Sequence, residues 1–84
     1  MDKNKTETGR NNLCGTQVKR LREALPGQIS QKKLADMLQI AGLDLDKNAV
    51  QRIESGQRFV TDIELKILVK VLGVTYQELL DTTD

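Results

Sequence analysis

The sequence predicts an all-α protein, a compact bundle of five short helices. Three observations predict it. From Leu13 onward, apolar residues recur three and four positions apart, the spacing of one helical face. Four segments open on the same arrangement: a small polar residue that can cap a helix, flanked by an apolar pair one position before it and four after it. No stretch alternates apolar and polar residues with period two, and no hairpin turn is present, so no sheet is expected.

The first helix is expected over residues 15–25, with Val18, Leu21 and Leu25 on its inner face. The Pro26-Gly27 turn ends it. The second follows Ser30 as N-cap, with Ile29 stapled to Leu34, and buries Leu34, Ala35 and Leu38. It should stop near Ala41, with Gly42 as its left-handed C-terminal residue. The third follows Asp46, pairs Leu45 with Val50, buries Val50 and Ile53 beside Ala49, and stops at Gly56. The fourth has a full capping box, Thr61 with Glu64, a Val60–Leu65 staple, and ends at Leu72-Gly73. The fifth repeats the device with Thr75, Glu78 and Val74–Leu79. Because all these local signals agree, they reinforce one another.

The 84 residues allow one small domain. A chain this short buries only about 60–65% of its unfolded surface, so helix packing has to be efficient. Residues 1–12 hold no apolar side chain except Met1 and are expected to form a disordered polar tail, with the domain over residues 13–84. The single Cys14 permits no internal disulfide and reads as a small semi-buried residue near a helix start.

Composition removes several function classes. With no histidine and one cysteine, the commonest general base and the usual transition-metal ligands are missing, and no metal or other cofactor is expected. No glycine-rich phosphate-binding loop is present. Aromatic residues at 2% are too few for a stacking platform for single-stranded nucleic acid. An enzyme is therefore not expected, and no small-molecule ligand is evident. No apolar run is long enough to cross a membrane, and the first residues lack the apolar centre of a signal peptide, so the expected location is the cytoplasm.

A net charge of +1 hides an asymmetry: residues 1–33 carry eight basic and three acidic side chains, whereas residues 59–84 carry two and five. A basic N-terminal half suits a polyanion, although a solvated surface has the same composition. The third helix narrows the choice. Its buried positions leave Lys47, Asn48, Gln51, Arg52 and Ser55 on other faces, with no acid on the outer side from Lys47 to Ile53. Asn and Gln can read adenine bidentately in the major groove of DNA, and Lys and Arg can read guanine. The plain alternative is an ordinary polar helix face.

These segments resemble the lambda-repressor/Cro type of helix-turn-helix domain, the XRE family. The resemblance is carried by Val18-Lys19-Arg20-Leu21-Arg22, by Ser30-Gln31-Lys32-Lys33-Leu34-Ala35, by Val50-Gln51-Arg52-Ile53-Glu54-Ser55-Gly56, by the run from Leu65 to Val74 and by Glu78-Leu79-Leu80. It implies a five-helix domain that binds double-stranded DNA, commonly as a dimer, and regulates transcription, here most simply as a repressor. It places base reading on Lys47, Asn48, Gln51 and Arg52, and phosphate contacts on Gln31, Lys32, Ser55, Gln57 and Arg58. It makes Arg22 and Glu54 a structural ion pair. The sequence departs from the family in two places. About two extra residues surround Pro26-Gly27, and the Leu34–Ile53 interval is about five residues longer than the family norm. The turn between the second and third helices is thus enlarged, by an extended loop or by a longer second helix, with Leu43 and Leu45 plugging it into the core.

The fourth helix has two apolar stripes. Leu65, Leu68, Val69 and Leu72 are assigned to the core. Ile63, Ile67 and Val71, with Tyr76 and Leu80 nearby, are assigned to a homodimer interface. Lys3, Lys5 and Arg10 of the tail either contact DNA or belong to an uninvolved terminus. A second functional reading stays open: a protein-interaction module, such as an antitoxin or anti-repressor partner, that keeps the shape without reading DNA.

Overall fold

In a computed structural model of the chain, the residues described are 9–81. Five helices follow in order: α1 (Gly15–Ala24), α2 (Gln31–Ile40), α3 (Lys47–Ser55), α4 (Asp62–Leu72) and α5 (Tyr76–Leu80), and no strand occurs among the described residues. The α3 helix packs on α1 and α2, while α4 packs on α2 and α5, and α5 returns to α1.

Local chemistry sets the ends. Ser30, Asp46, Thr61 and Thr75 each stand in extended backbone, and each accepts from the amide three residues on. Thr61 and Thr75 complete reciprocal capping boxes with Glu64 and Glu78. Every helix has four N–H groups without an internal partner at its start, and these caps satisfy one or two of them. At the other end, Gly56 and Gly73 adopt left-handed backbone at φ +84° and +69°, conformations that glycine enters without a Cβ clash. The α1 helix ends one residue earlier than expected because Leu25, which precedes Pro26, is extended at ψ 145°.

The apolar faces meet in one core. Val18 from α1, Leu34 and Leu38 from α2, Val50 and Ile53 from α3, Leu68 from α4 and Leu79 from α5 are all fully buried. Burial of each such side chain is worth roughly 1.5–3 kcal/mol. Cys14 lies in the same core, directly before α1. Burial pushes its thiol up to about 11, so it stays protonated at neutral pH and behaves as a small apolar residue.

The enlarged turn is an extended loop over residues 41–46, and α2 is not lengthened. Left-handed Gly42 at φ +97° stops α2, and the Leu43 amide donates back to the Leu38 carbonyl at 2.9 Å. Leu45 is buried and Leu43 half-buried against the core, which ties the loop down.

The expected tail boundary at residue 12 is corrected. Residues 10–12 are built onto the end of α3. The Asn12 amide group donates to the carbonyls of Ile53 (3.1 Å) and Arg58 (2.7 Å), while its Oδ1 accepts from the Gly15 amide at 2.8 Å. Asn11 donates through its backbone to Gly56 at 2.8 Å and through its side chain to Gln57 at 2.9 Å. Arg10 Nη2 donates to the Glu54 carbonyl at 2.7 Å. The physical reason is that the last turn of a helix leaves carbonyls unpaired, and this polar segment supplies the donors. The expectation for residues 1–8, including Lys3 and Lys5, falls outside the described residues.

Candidate nucleic-acid interface

The inner side of α3 is its anchor. Ala49, Val50 and Ile53 enter the core, and Glu54 is buried with them. The Glu54 carboxylate accepts from Arg22 Nε at 2.8 Å, from Arg22 Nη2 at 3.1 Å and from Gln31 Nε2 at 2.9 Å. Arg22 Nη1 donates to the Ile29 carbonyl at 2.7 Å. One charge-assisted cluster thus joins α1, the start of α2 and the end of α3. The hydrogen bond to Glu54 raises the Arg22 pKa, against a smaller lowering by burial, so the guanidinium stays charged.

The outer side is open. Asn48, Gln51, Arg52, Ser55 and Gln57 line one shallow groove of about 310 Å³. Lys47 is exposed at the first position of α3, outside that lining. Among the described residues, the side chains of Lys47, Asn48, Gln51 and Arg52 form no hydrogen bond or ion pair. Ser55 Oγ donates to the Arg52 carbonyl at 3.3 Å, which leaves its oxygen facing out as an acceptor. The groove contains no acid. Amide and guanidinium groups held this way present donors and acceptors to whatever lies along the helix.

A second cleft, about 170 Å³, lies on the other side of the Gln51–Ser55 ridge, lined by Lys19, Gln31, Gln51, Glu54 and Ser55. Gln31 thus stands between the buried Glu54 cluster and the surface. Of the other expected phosphate contacts, Lys32 is exposed and paired with Asp36 at 2.6 Å. A pair so open to solvent contributes at most about 1 kcal/mol and exchanges readily.

Arg58 is the residue whose position differs most from expectation. Its guanidinium is turned inward onto Glu64, with Nη1 at 2.8 Å and Nη2 at 2.9 Å from the two carboxylate oxygens. Thr61 adds its amide to the same carboxylate at 3.0 Å. The pair ties the α3–α4 connection to the first turn of α4, so Arg58 is committed to the fold. The Arg58 guanidinium holds the Glu64 carboxyl below the usual glutamate range, with burial opposing it more weakly. Its folded pKa is therefore below its unfolded one, and its stabilising contribution is complete above that unfolded value. The contribution is lost as pH falls from about 4.5 through the lowered value. Glu64→Gln is expected to be less stable than the parent at pH 7, with the gap closing by pH 3. Urea unfolding at both pH values checks this, and a gap that stays constant would show that ionisation of Glu64 contributes nothing.

The expected interface residues of α4 and α5 are graded in exposure. Ile63 is 69% exposed, Tyr76 49% and Leu80 36%, whereas Ile67 and Val71 are half-buried against the core. Ile63, Leu65 and Tyr76, with Asp62 and Lys66, line a shallow, largely apolar groove of about 470 Å³.

Comparison with known families decides the assignment of the chain. The helix-turn-helix model HTH_3 matches residues 18–79, from the buried Val18 of α1 to the buried Leu79 of α5. The chain belongs to the lambda-repressor/Cro-like helix-turn-helix family. That family is one of DNA-binding regulatory domains, not of enzymes. No curated protein and no solved structure gives a significant match. Among the described residues of this helix-turn-helix chain, no helix is long and apolar enough to cross a membrane. No cluster of acids and cysteine able to hold a metal occurs among them either.

One residue lining the second cleft escaped the sequence reading. Lys19 lies one helical turn before Arg22, and it lines the second cleft. The signal was its spacing of three from Arg22, which puts both on the same side of α1.

Proposed function

We propose that the chain is a sequence-specific transcriptional regulator, acting as a repressor, with α3 lying in the major groove of double-stranded DNA. The observation that carries this reading is the outer groove of α3. Asn48, Gln51 and Arg52 line it together, exposed and unpaired, on a helix whose opposite side is fixed by Val50, Ile53 and the Glu54 cluster. A helix fits the roughly 12 Å width of the major groove, and these side-chain types match base edges there. Lys47, at the first turn, joins them as a base-reading residue. Gln31, Lys32, Ser55 and Gln57 contact phosphates and hold the register.

A second copy of the chain completes the unit. We assign its contact to Ile63, Ile67, Val71, Tyr76 and Leu80: Ile63 and Tyr76 line an exposed apolar groove, Leu80 is exposed nearby in sequence, and such a groove on a small monomer is best covered by itself in a symmetric pair. Two copies read half-sites about one DNA turn apart.

The test is selection of bound sequences from random duplexes, followed by titration of variants on the selected site. Arg52→Ala is expected to lose about 1–3 kcal/mol on that site and to relax the preference at one base pair. Gln31→Ala is expected to weaken all duplexes alike. If the parent protein enriches no sequence and instead co-purifies with a stoichiometric protein, the chain is an interaction module.

A further inference from the structure

We propose that Lys19 is a phosphate-contacting residue of the DNA interface, seated across the second cleft from Gln51 and Ser55. The inference rests on the DNA-binding reading given above and adds to it a cation of the second cleft. Three observations carry it.

The first is position. The cleft lined by Lys19 and Gln31 shares Gln51 and Ser55 with the groove on the outer face of α3. A duplex laid along that groove brings one sugar–phosphate strand past the shared ridge and over the cleft. The second is availability. Arg22 and Arg58 are held in pairs within the fold, by Glu54 and Glu64. Lys19 is exposed and has no hydrogen bond or ion pair among the described residues. The third is local charge. The one acid in the cleft wall, Glu54, is matched by the charge of Arg22 and accepts three hydrogen bonds from the fold, two from Arg22 and one from Gln31. The ammonium of Lys19 is therefore the unbalanced charge at the cleft mouth. A lysine suits this place because its compact charge on a flexible stem can follow a phosphate without a fixed fork geometry.

The experiment compares the parent, Lys19→Gln and Lys70→Gln on the selected duplex and on an unrelated duplex, over a series of salt concentrations. Lys70 is exposed on α4 and lines neither cleft, so its variant controls for overall charge. Losing one phosphate contact reduces the log–log salt slope by about 0.9, which at 0.1 M salt is roughly an eightfold loss of affinity. Lys19→Gln is expected to show that loss equally on both duplexes, with an unchanged urea midpoint, and Lys70→Gln to keep the parental slope. An unchanged slope in Lys19→Gln overturns the assignment while leaving DNA binding intact. A loss confined to the selected duplex also overturns it, because Lys19 would then be reading bases. A parent protein with no salt-dependent binding to either duplex overturns this inference and the DNA-binding reading together.

Discussion

Replacing Glu54 with alanine is expected to remove about 3–5 kcal/mol of folding stability. The side chains of the pair are nearly sealed, Arg22 at 10% and Glu54 at 4% exposure. Alanine leaves the guanidinium buried without its counter-charge and strands the Gln31 amide as well. A domain of this size has a total stability of roughly 4–12 kcal/mol, so the variant loses a large share of it. Each kcal/mol shifts the midpoint by about 4–8 °C in a small domain, which puts the expected fall in Tm in the tens of degrees. The Arg22→Met/Glu54→Met double variant is expected to recover most of the loss, because removing both charges removes the unpaired one. It keeps the fold and loses the polar anchor of Gln31. A Glu54→Ala variant within about 1 kcal/mol of the parent would show that the cluster does not hold α1 and α2 onto α3.

The reach of the sequence follows from the distance over which each signal acts. Caps are local: Ser30, Asp46, Thr61 and Thr75 announce their helices because cap and amide are three residues apart. The core was legible for the same reason, since Leu34, Leu38, Val50, Ile53 and Leu68 follow helical spacing. The outer face of α3 was legible as the complement of its buried one. Contacts between remote polar residues were not legible. Asn12 reaches Ile53 and Arg58 across 41 and 46 positions, and neither asparagine of that segment carries an apolar signal. A polar stretch reads as tail unless the carbonyls it will meet are known. Arg58 illustrates the same gap within the site: the family position suggested a phosphate, but the turn into α4 puts Glu64 within reach. Which cations the fold leaves unpaired depends on such pairings, so the place of Lys19 beside Gln31 and Ser55 shows in the three-dimensional arrangement.

The case of Gly15 separates local from tertiary physics most sharply. Gly15→Ala lies at the start of α1, where helix propensity alone predicts a gain of up to about 1 kcal/mol. The expected outcome is the opposite, a net loss of about 2–3 kcal/mol. A Cβ added to Gly15 runs into the Ile53 carbonyl oxygen, and meets Arg10 Nη2 at 2.6 Å and Asn12 Oδ1 at 2.8 Å. The arginine can swing aside, but the carbonyl is backbone at the end of α3 and cannot move alone. Either α1 must back away from α3, which pulls on the Arg22–Glu54 pair, or residues 10–12 must release their hold on the last turn of α3. The absence of a side chain is thus what lets the two helices approach. Thr16→Ala provides the control, since Thr16 is exposed in the same turn and its replacement feels propensity without the clash. Urea unfolding should rank Thr16→Ala at or slightly above the parent and Gly15→Ala well below it. If Gly15→Ala were the more stable protein, the close approach of α1 to the end of α3 would be refuted, and with it the strapping of that end by residues 10–12.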